Sequence, residues 1–409
     1  AFYGGWYLDF HPSEGVYSEE ESCTQIPVRT YAIPIRTLFN SIRPNLLVGG
    51  RIIGTTHAAF TSSRIMDTCA LSGQAAGTLA AFCIRNRQTP AEQAEKNIQN
   101  IQQQLLKDDM LIIGERNKDP EDLACTAEIT ASSFITRLSP KPAGLFPLEQ
   151  DAFVNFPLAK GTKQVRVLID SKQDCTFHID MYTSPLPSRL CPGTLLSSVN
   201  CDVKQGRDLV LDMPEVEKNC FITAILHANP YVMVRTTDAA PTGFLMGNQW
   251  SMEHVYPCIM MDLADLYNEK KLINGFNRPY TEPNLWISKA EPQPCVTLEW
   301  EQPVKITQVL LYLNPDLSKE LPSSFTEHRN ENHMLVWRGA DRPVQLAEAF
   351  AVWVRRGRQW IKAKEISDNW RRLCTVQLPE ATETDAIKVT FGSKASEAHT
   401  AQMFEIRVY

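Results

Sequence analysis

Between Ile33 and Leu79 the chain gathers residue types able to hold an anion or a flat ring. An apolar run, Asn45 to Gly50, ends in Gly49-Gly50-Arg51. A polar loop over 51–64 follows, bearing Thr55, Thr56, His57, Ser62, Ser63 and Arg64. The next segment carries Cys69, Ser72 and Gly73, then Ala75, Ala76 and Gly77. Small residues on successive helical turns let a backbone or a flat ring approach closely. A helix start offers N–H groups and partial positive charge. That suits an anion, a carbonyl oxygen or the negative charge developing on a reduced ring. His57 is the first acid/base candidate and His11, in Leu8-Asp9-Phe10-His11-Pro12, the second. The same residues also fit a small-residue helix packed on a sheet without a ligand, with both histidines satisfied by their loops.

These residues need elements to position them. The run at 45–50 reads as a buried strand. Residues 66–87, rich in Ala and Leu and free of Pro, read as a helix capped by Asp67 or Thr68. A second helix is expected over 89–109, with Thr89 at its N-cap and Pro90 at its first position. After Asp119-Pro120 the texture changes. QVRVLIDS, CTFHIDMY, DLVLDM, CFITAIL and YVMVRTT read as strands without intervening helices, so 120–245 is expected to be an antiparallel sandwich. Residues 246–285 read as a connector. LWISK, CVTLEW, ITQVLLYL, FAVWVRR, QWIKAKEI, CTVQLP, AIKVTFG and FEIRVY make 286–409 a second sandwich.

The fold class is therefore multidomain and mainly β, with a partial α/β portion at 1–119 followed by two antiparallel β-sandwich (jelly-roll) domains. At roughly 100–200 residues per domain, 409 residues accommodate this. The net charge of −6 provides no basic stripe, so nucleic acid is not expected as a partner. No apolar run reaches the roughly 18 residues of a membrane span. Eleven cysteines form no CxxC pair, so no metal site is expected from spacing. Cys191 and Cys201 flank a possible hairpin and could be bridged. GxSxG, HExxH and P-loop motifs are absent.

The run IPIRTLF…NLLVGGRIIGTTHAAFTSSRIMDTCALSGQAAGTLAA resembles the last part of the FAD-binding domain in a family of bacterial FAD-dependent oxidoreductases. Trp6 to Pro12 (W-x-L-D-x-H-P) and Ile33 to Arg36 (I-P-x-R) match that family as well. The resemblance covers about the first quarter of the chain, extending weakly through FPLEQD at 146–151. It implies that Gly50 and Arg51 lie beside the ribityl–phosphate side of the flavin. Thr56 and His57 would lie near the ring or substrate, and Arg64 would hold the loop or an anionic group. Thr68, Gly73 and Gln74 would present the helix start to the pyrimidine edge. Family members open with a unit carrying G-x-G-x-x-G, which grips the pyrophosphate. That fingerprint and its acidic ribose partner are absent from these residues. FAD is thus expected in a complete parent protein, with the missing nucleotide-binding portion as a partner, and the isolated chain is expected not to retain it. The opening AFYGGWYLDFHP, with no Met and no signal-like region, reads as a processed, cleaved or engineered start.

The last domain resembles discoidin-like, galactose-binding-type jelly rolls in its WISK opening and its closing FEIRVY. Trp337, Trp360, Trp370, Arg371 and Arg372 are candidates for glycan contacts, although their reading as core or interface residues is favoured. The leading functional expectation is hydride transfer to or from FAD on an unidentified substrate, with a carbohydrate among the candidates. The alternatives are a non-catalytic carbohydrate-binding or assembly module and polysaccharide cleavage. A periplasmic or extracellular location is favoured over the cytoplasm. Apolar surface left uncovered on the 66–87 helix makes a homo-oligomer a further expectation.

Overall fold

The computed structural model describes residues 1–40, 42–187, 191–248, 254–317, 342–392 and 398–409. Two compact units divide the chain, Ala1–Asp119 and Pro120–Tyr409. The expected mainly β, multidomain class holds, and every strand pairing among the described residues is antiparallel.

Four helices shape the N-terminal unit: α1 (His57–Ser63), α2 (Met66–Asn86), α3 (Pro90–Lys96) and α4 (Ile98–Lys107). Two short ribbons accompany them, Phe2–Gly4 with Tyr31–Ile33 and Leu8–Phe10 with Thr24–Ile26. The core gathers Phe2, Leu38, Ala75, Leu79, Ile101 and Leu105, all fully buried.

Several local expectations change. The run at 45–50 is not a strand. Only Leu47 makes a β-bridge, to Phe39, while the Val48 N–H donates to the Leu38 carbonyl at 2.8 Å. An apolar sequence becomes a strand only where a neighbour takes its backbone groups. The loop expected at 51–64 contains α1, whose N-cap Thr56 accepts from the Ala59 N–H at 3.3 Å. Its hydroxyls look like loop residues but bond their own helix: Thr61 Oγ1 donates to the Ala58 carbonyl and Ser63 Oγ to the Ala59 carbonyl. Helix α2 starts after Ile65 without a side-chain cap, so neither Asp67 nor Thr68 fills that role. The 89–109 helix breaks at Asn97, which has φ −131° and whose side-chain amide donates to Gln88 Oε1 at 3.2 Å. The predicted Thr89 cap and Pro90 start are present as a capping box.

In the C-terminal unit a nine-stranded and a four-stranded sheet enclose one core built around Val154, Phe156, Ile179, Ile222, Val234 and Ile259. Residues 246–285, read as a connector, supply the strands His254–Pro257 and Ile259–Asp262 and most of Leu245–Asn248 to those sheets. The third, seven-stranded sheet is built on two long strands, Cys295–Leu313 and Leu373–Gly392. Register shifts between Glu299 and Val304 and between Ile306 and Gln308 let the sheet bend over its core. Its closing strand, Gln402–Val408, is buried throughout and includes a buried ion pair, Arg407 Nη2 donating to Glu405 Oε2 at 2.8 Å. Asp122 ties residues 120–131 to the same sheet by accepting from the Val408 N–H at 2.9 Å. No Cys191–Cys201 bridge is formed.

Candidate functional site

Asp9 is the centre of the polar contacts in the N-terminal unit. It sits in the strand Leu8–Phe10, opposite Gln25. Arg64 Nη2 donates to Asp9 Oδ2 at 3.0 Å and to the Asp9 carbonyl at 3.1 Å. His11 Nε2 lies 3.3 Å from the same carboxylate oxygen, and Gln25 donates to the other at 3.3 Å. Burial pushes the Asp9 carboxyl up. Hydrogen bonds from Gln25 and Arg64, with the neighbouring His11 and Arg64 charges, outweigh that and hold it below its usual value.

The two candidate histidines differ in freedom. His11 is held at both nitrogens, since Nδ1 lies 2.9 Å from the Ser22 carbonyl oxygen. His57 occupies the first position of α1, exposed to solvent, with its ring 6.4 Å from that of Phe10. Phe60, one turn on, receives two guanidinium groups: Arg51 at 5.6 Å and Arg64 at 5.9 Å from its centroid. Ser62 is buried and relays between elements, accepting from Tyr31 Oη at 2.6 Å and donating to the Trp6 carbonyl at 2.6 Å.

The Gly49-Gly50-Arg51 turn lies against the first turns of α2. Gly50 adopts φ +71°, a conformation that favours glycine. Its N–H donates to Ser72 Oγ at 2.7 Å, and Ser72 donates to the Cys69 carbonyl at 2.6 Å. Burial raises the Cys69 thiol, partly offset by the Arg51 charge. Along α2 an exposed stripe runs through Met66, Ala70, Gly73, Gly77, Ala81 and Ile84. A Cβ at Gly73 or Gly77 would meet nothing within 4 Å. Together with the uncapped helix start, this leaves a flat, open face next to a partial positive charge.

The structure joins His11, Arg64, Arg51 and His57 through Asp9, Phe10 and Phe60. It uses three other expected residues for the scaffold. Thr56 caps α1, Thr68 is buried, and the Gln74 amide donates to the Asp108 carbonyl at 3.1 Å. Gly73 is exposed on the open face. Sequence reasoning gave no role to Asp9 or Phe60, and it noted Ser72 on the helix start without the contact to Gly50. Asp9 was legible in principle, because it stands two residues before His11 beside a two-residue-period strand.

In the C-terminal unit Trp360 is flanked by Arg355 and Lys388, 5.9 and 4.2 Å from its centroid. Arg372 donates to the carbonyls of Leu313 and Asn277 and lies over Phe404. Both are engaged within the fold. Arg371 is exposed, and Trp370 is 52% exposed with Arg342 stacked 4.6 Å from its centroid. Trp337 lies outside the described residues. A cleft of about 610 Å³ is lined by Lys160, Asn219, Asp265, Lys271 and Glu282 among others, and includes none of the residues singled out from sequence. Within it Lys271 Nζ meets Glu282 Oε2 at 2.6 Å, and Asn219 donates to Asp265 and Glu282. Among the described residues no helix is long and apolar enough to cross a membrane.

Residues 2–105 match the family described as FAD dependent oxidoreductase, as the N-terminal motifs implied. Solved structures similar to the chain include carbohydrate-binding modules. The family 32 module from Streptococcus pneumoniae EndoD is 12% identical and covers 34% of this chain and 83% of its own, with TM-score 0.24. The family 32 module of Clostridium perfringens NanJ, in complex with galactose, is 12% identical over 35% and 85%, with TM-score 0.25. A chitosan-binding module from Paenibacillus sp. IK-5 is 10% identical over 36% and 88%, with TM-score 0.24. No curated protein matches the chain.

Proposed function

We propose that the N-terminal unit is the ring-facing half of an FAD site in an oxidoreductase that transfers hydride to or from flavin. The family match over residues 2–105 carries this reading. The local structure fits a flat ligand, since Gly73 and Gly77 leave room where any larger residue would stand. When bound, FAD supplies the redox chemistry. The residues present orient and polarise it. The α2 start and Arg51 favour negative charge on the ring side. Arg64 is committed to Asp9 and fixes the strand that carries Phe10 and His11. His57 is the proton donor or acceptor toward substrate, because it is exposed and His11 is held at both nitrogens. The part that grips the dinucleotide lies outside these residues, and on the Met66–Ile84 stripe it packs beside the ring held at Gly73 and Gly77.

The reading is tested by titrating the full chain with FAD and following the flavin visible band. A weak, saturable perturbation is expected in the wild type. It should disappear in the Gly73→Leu/Gly77→Leu double variant, whose circular dichroism should be unchanged. An identical titration in wild type and double variant would overturn the assignment of this face.

One observation favours a second reading, a glycan contact in the C-terminal unit. Trp370 offers an exposed ring beside a cleft of about 240 Å³ that includes Arg342, Glu348 and His399. Aromatic faces of this kind take sugar rings through apolar contact. Calorimetric titration with a panel of neutral glycans, in wild type and Trp370→Ala, checks it. Heat lost in the variant supports the reading, and no heat with the wild type removes it.

A further inference from the structure

We propose that the outer face of the nine-stranded sheet carries a divalent transition-metal site made by His178, Asp180 and His227. Neither the family match nor the flavin reading bears on these residues, which belong to the other unit.

The pleat brings them together. His178 and Asp180 are two apart on the strand Cys175–Thr183 and so share a face, while Phe177, Ile179 and Met181 point into the core. The neighbouring strand Cys220–Leu226 pairs Leu226 with Ile179. His227 therefore falls beside His178, and its N–H donates to the His178 carbonyl at 3.2 Å. One ligand atom from each of the three side chains lies within 4.8 Å of the others.

The donor atoms face one another. Asp180 Oδ2 is 2.8 Å from His227 Nε2 and Asp180 Oδ1 is 3.4 Å from His178 Nε2. Bonds of about 2.0–2.1 Å in a tetrahedral site set ligand atoms about 3.3 Å apart, so small side-chain rotations suffice. The imidazole rings lie 4.8 Å apart between centroids.

A second layer aims the rings. His178 Nδ1 is 2.8 Å from Asn200 Oδ1, and His227 Nδ1 is 3.4 Å from Asp151 Oδ2. Without metal, His227 Nε2–H donates to Asp180 Oδ2 at 2.8 Å; with an ion in place, each ring would carry its proton on Nδ1, directed at those acceptors, and both Nε2 lone pairs would face the ion. This is the way that metal-binding histidines are oriented. Asp151 is itself fixed, accepting from the Ala228 N–H at 2.8 Å.

Two imidazoles and one carboxylate favour zinc, cobalt, nickel or copper over calcium or magnesium. Three protein ligands on a half-exposed face leave the fourth position to water or an anionic oxygen, the arrangement of an open site and not of a closed structural one.

The test uses the full chain, stripped with chelator and titrated with Co²⁺ and then Zn²⁺. One equivalent of Co²⁺ should bind with visible d–d bands and no thiolate charge-transfer band, and Zn²⁺ should displace it. His178→Ala and His227→Ala should each weaken binding at least 100-fold. Asn200→Ala, which removes only a second-layer acceptor, should weaken it about 10–100-fold. Urea midpoints without metal should match those of the wild type. A thiolate band, or affinity unchanged in both histidine variants, would overturn the proposal. So would the absence of binding by the wild type, leaving His227–Asp180 as a plain ion pair.

Discussion

An arginine answers a carboxylate in both units, and the two pairs behave differently. Arg64 meets Asp9 in the N-terminal unit with side chains 20% and 14% exposed; Arg407 meets Glu405 in the closing strand with 0% and 1%. Around Asp9 the hydrogen bonds outweigh burial and favour the charged carboxylate. Around Glu405 burial dominates, and its carboxyl is pushed up to about 7 in spite of Arg407. The first pair fixes a thin, partly exposed ribbon. The second is sealed in a sheet core between Tyr312 and strand neighbours. Openness goes with the candidate chemistry, and closure goes with the scaffold.

The comparison can be broken most severely at Arg407. Arg407→Ala leaves Glu405 buried without its partner and should cost about 3–5 kcal/mol. Urea unfolding, with hydrogen exchange read separately on peptides from each unit, should show the loss confined to the C-terminal unit. Arg64→Ala removes a partly exposed charged hydrogen bond and should cost about 1.5–3 kcal/mol, confined to the N-terminal unit. Equal losses from the two variants would erase the distinction between the pairs.

The pH dependences should have opposite signs. The folded Glu405 value is raised, so the folded state binds the extra proton, and stability falls as pH rises from the ordinary 4.5 to about 7, then levels. The folded Asp9 value is lowered, so its contribution is full above the ordinary 3.8 and fades as pH drops below it. Exchange protection of the two units across pH 3 to 8 checks this, with Glu405→Gln expected to flatten the upper limb. At the small end, Gln25→Ala loses an exposed amide contact at 3.3 Å to Asp9 and should cost about 0.5 kcal/mol in urea unfolding of the N-terminal unit.

Much of the fold was legible because its periodicity follows burial. Phe177, Ile179 and Met181 alternate with polar neighbours, and Thr89-Pro90 announces α3. The errors came where a local signal had a second use. The hydroxyls of Thr61 and Ser63 read as loop but satisfy their own helix. The Asn45–Gly50 run reads as a buried strand, yet only Leu47 bridges a neighbour. CVTLEW and ITQVLLYL read as two strands, as did CTVQLP and AIKVTFG, but each pair is one long strand; Pro303 and Pro379 fall between them, where the register shifts and no ladder bond is required. The site was half legible. Its motif residues were visible, whereas the hub at Asp9 depends on Arg64, distant in sequence, and Thr68 and Gln74 turned to scaffold contacts that no spacing records.

The central claim, a face built for the flavin ring and not for the dinucleotide, is tested most directly by saturation-transfer NMR on the full chain with FAD. Saturation should reach the isoalloxazine protons, with none above background on the adenine protons. Adenine saturation equal to or stronger than that of the ring, or none on either, would contradict it.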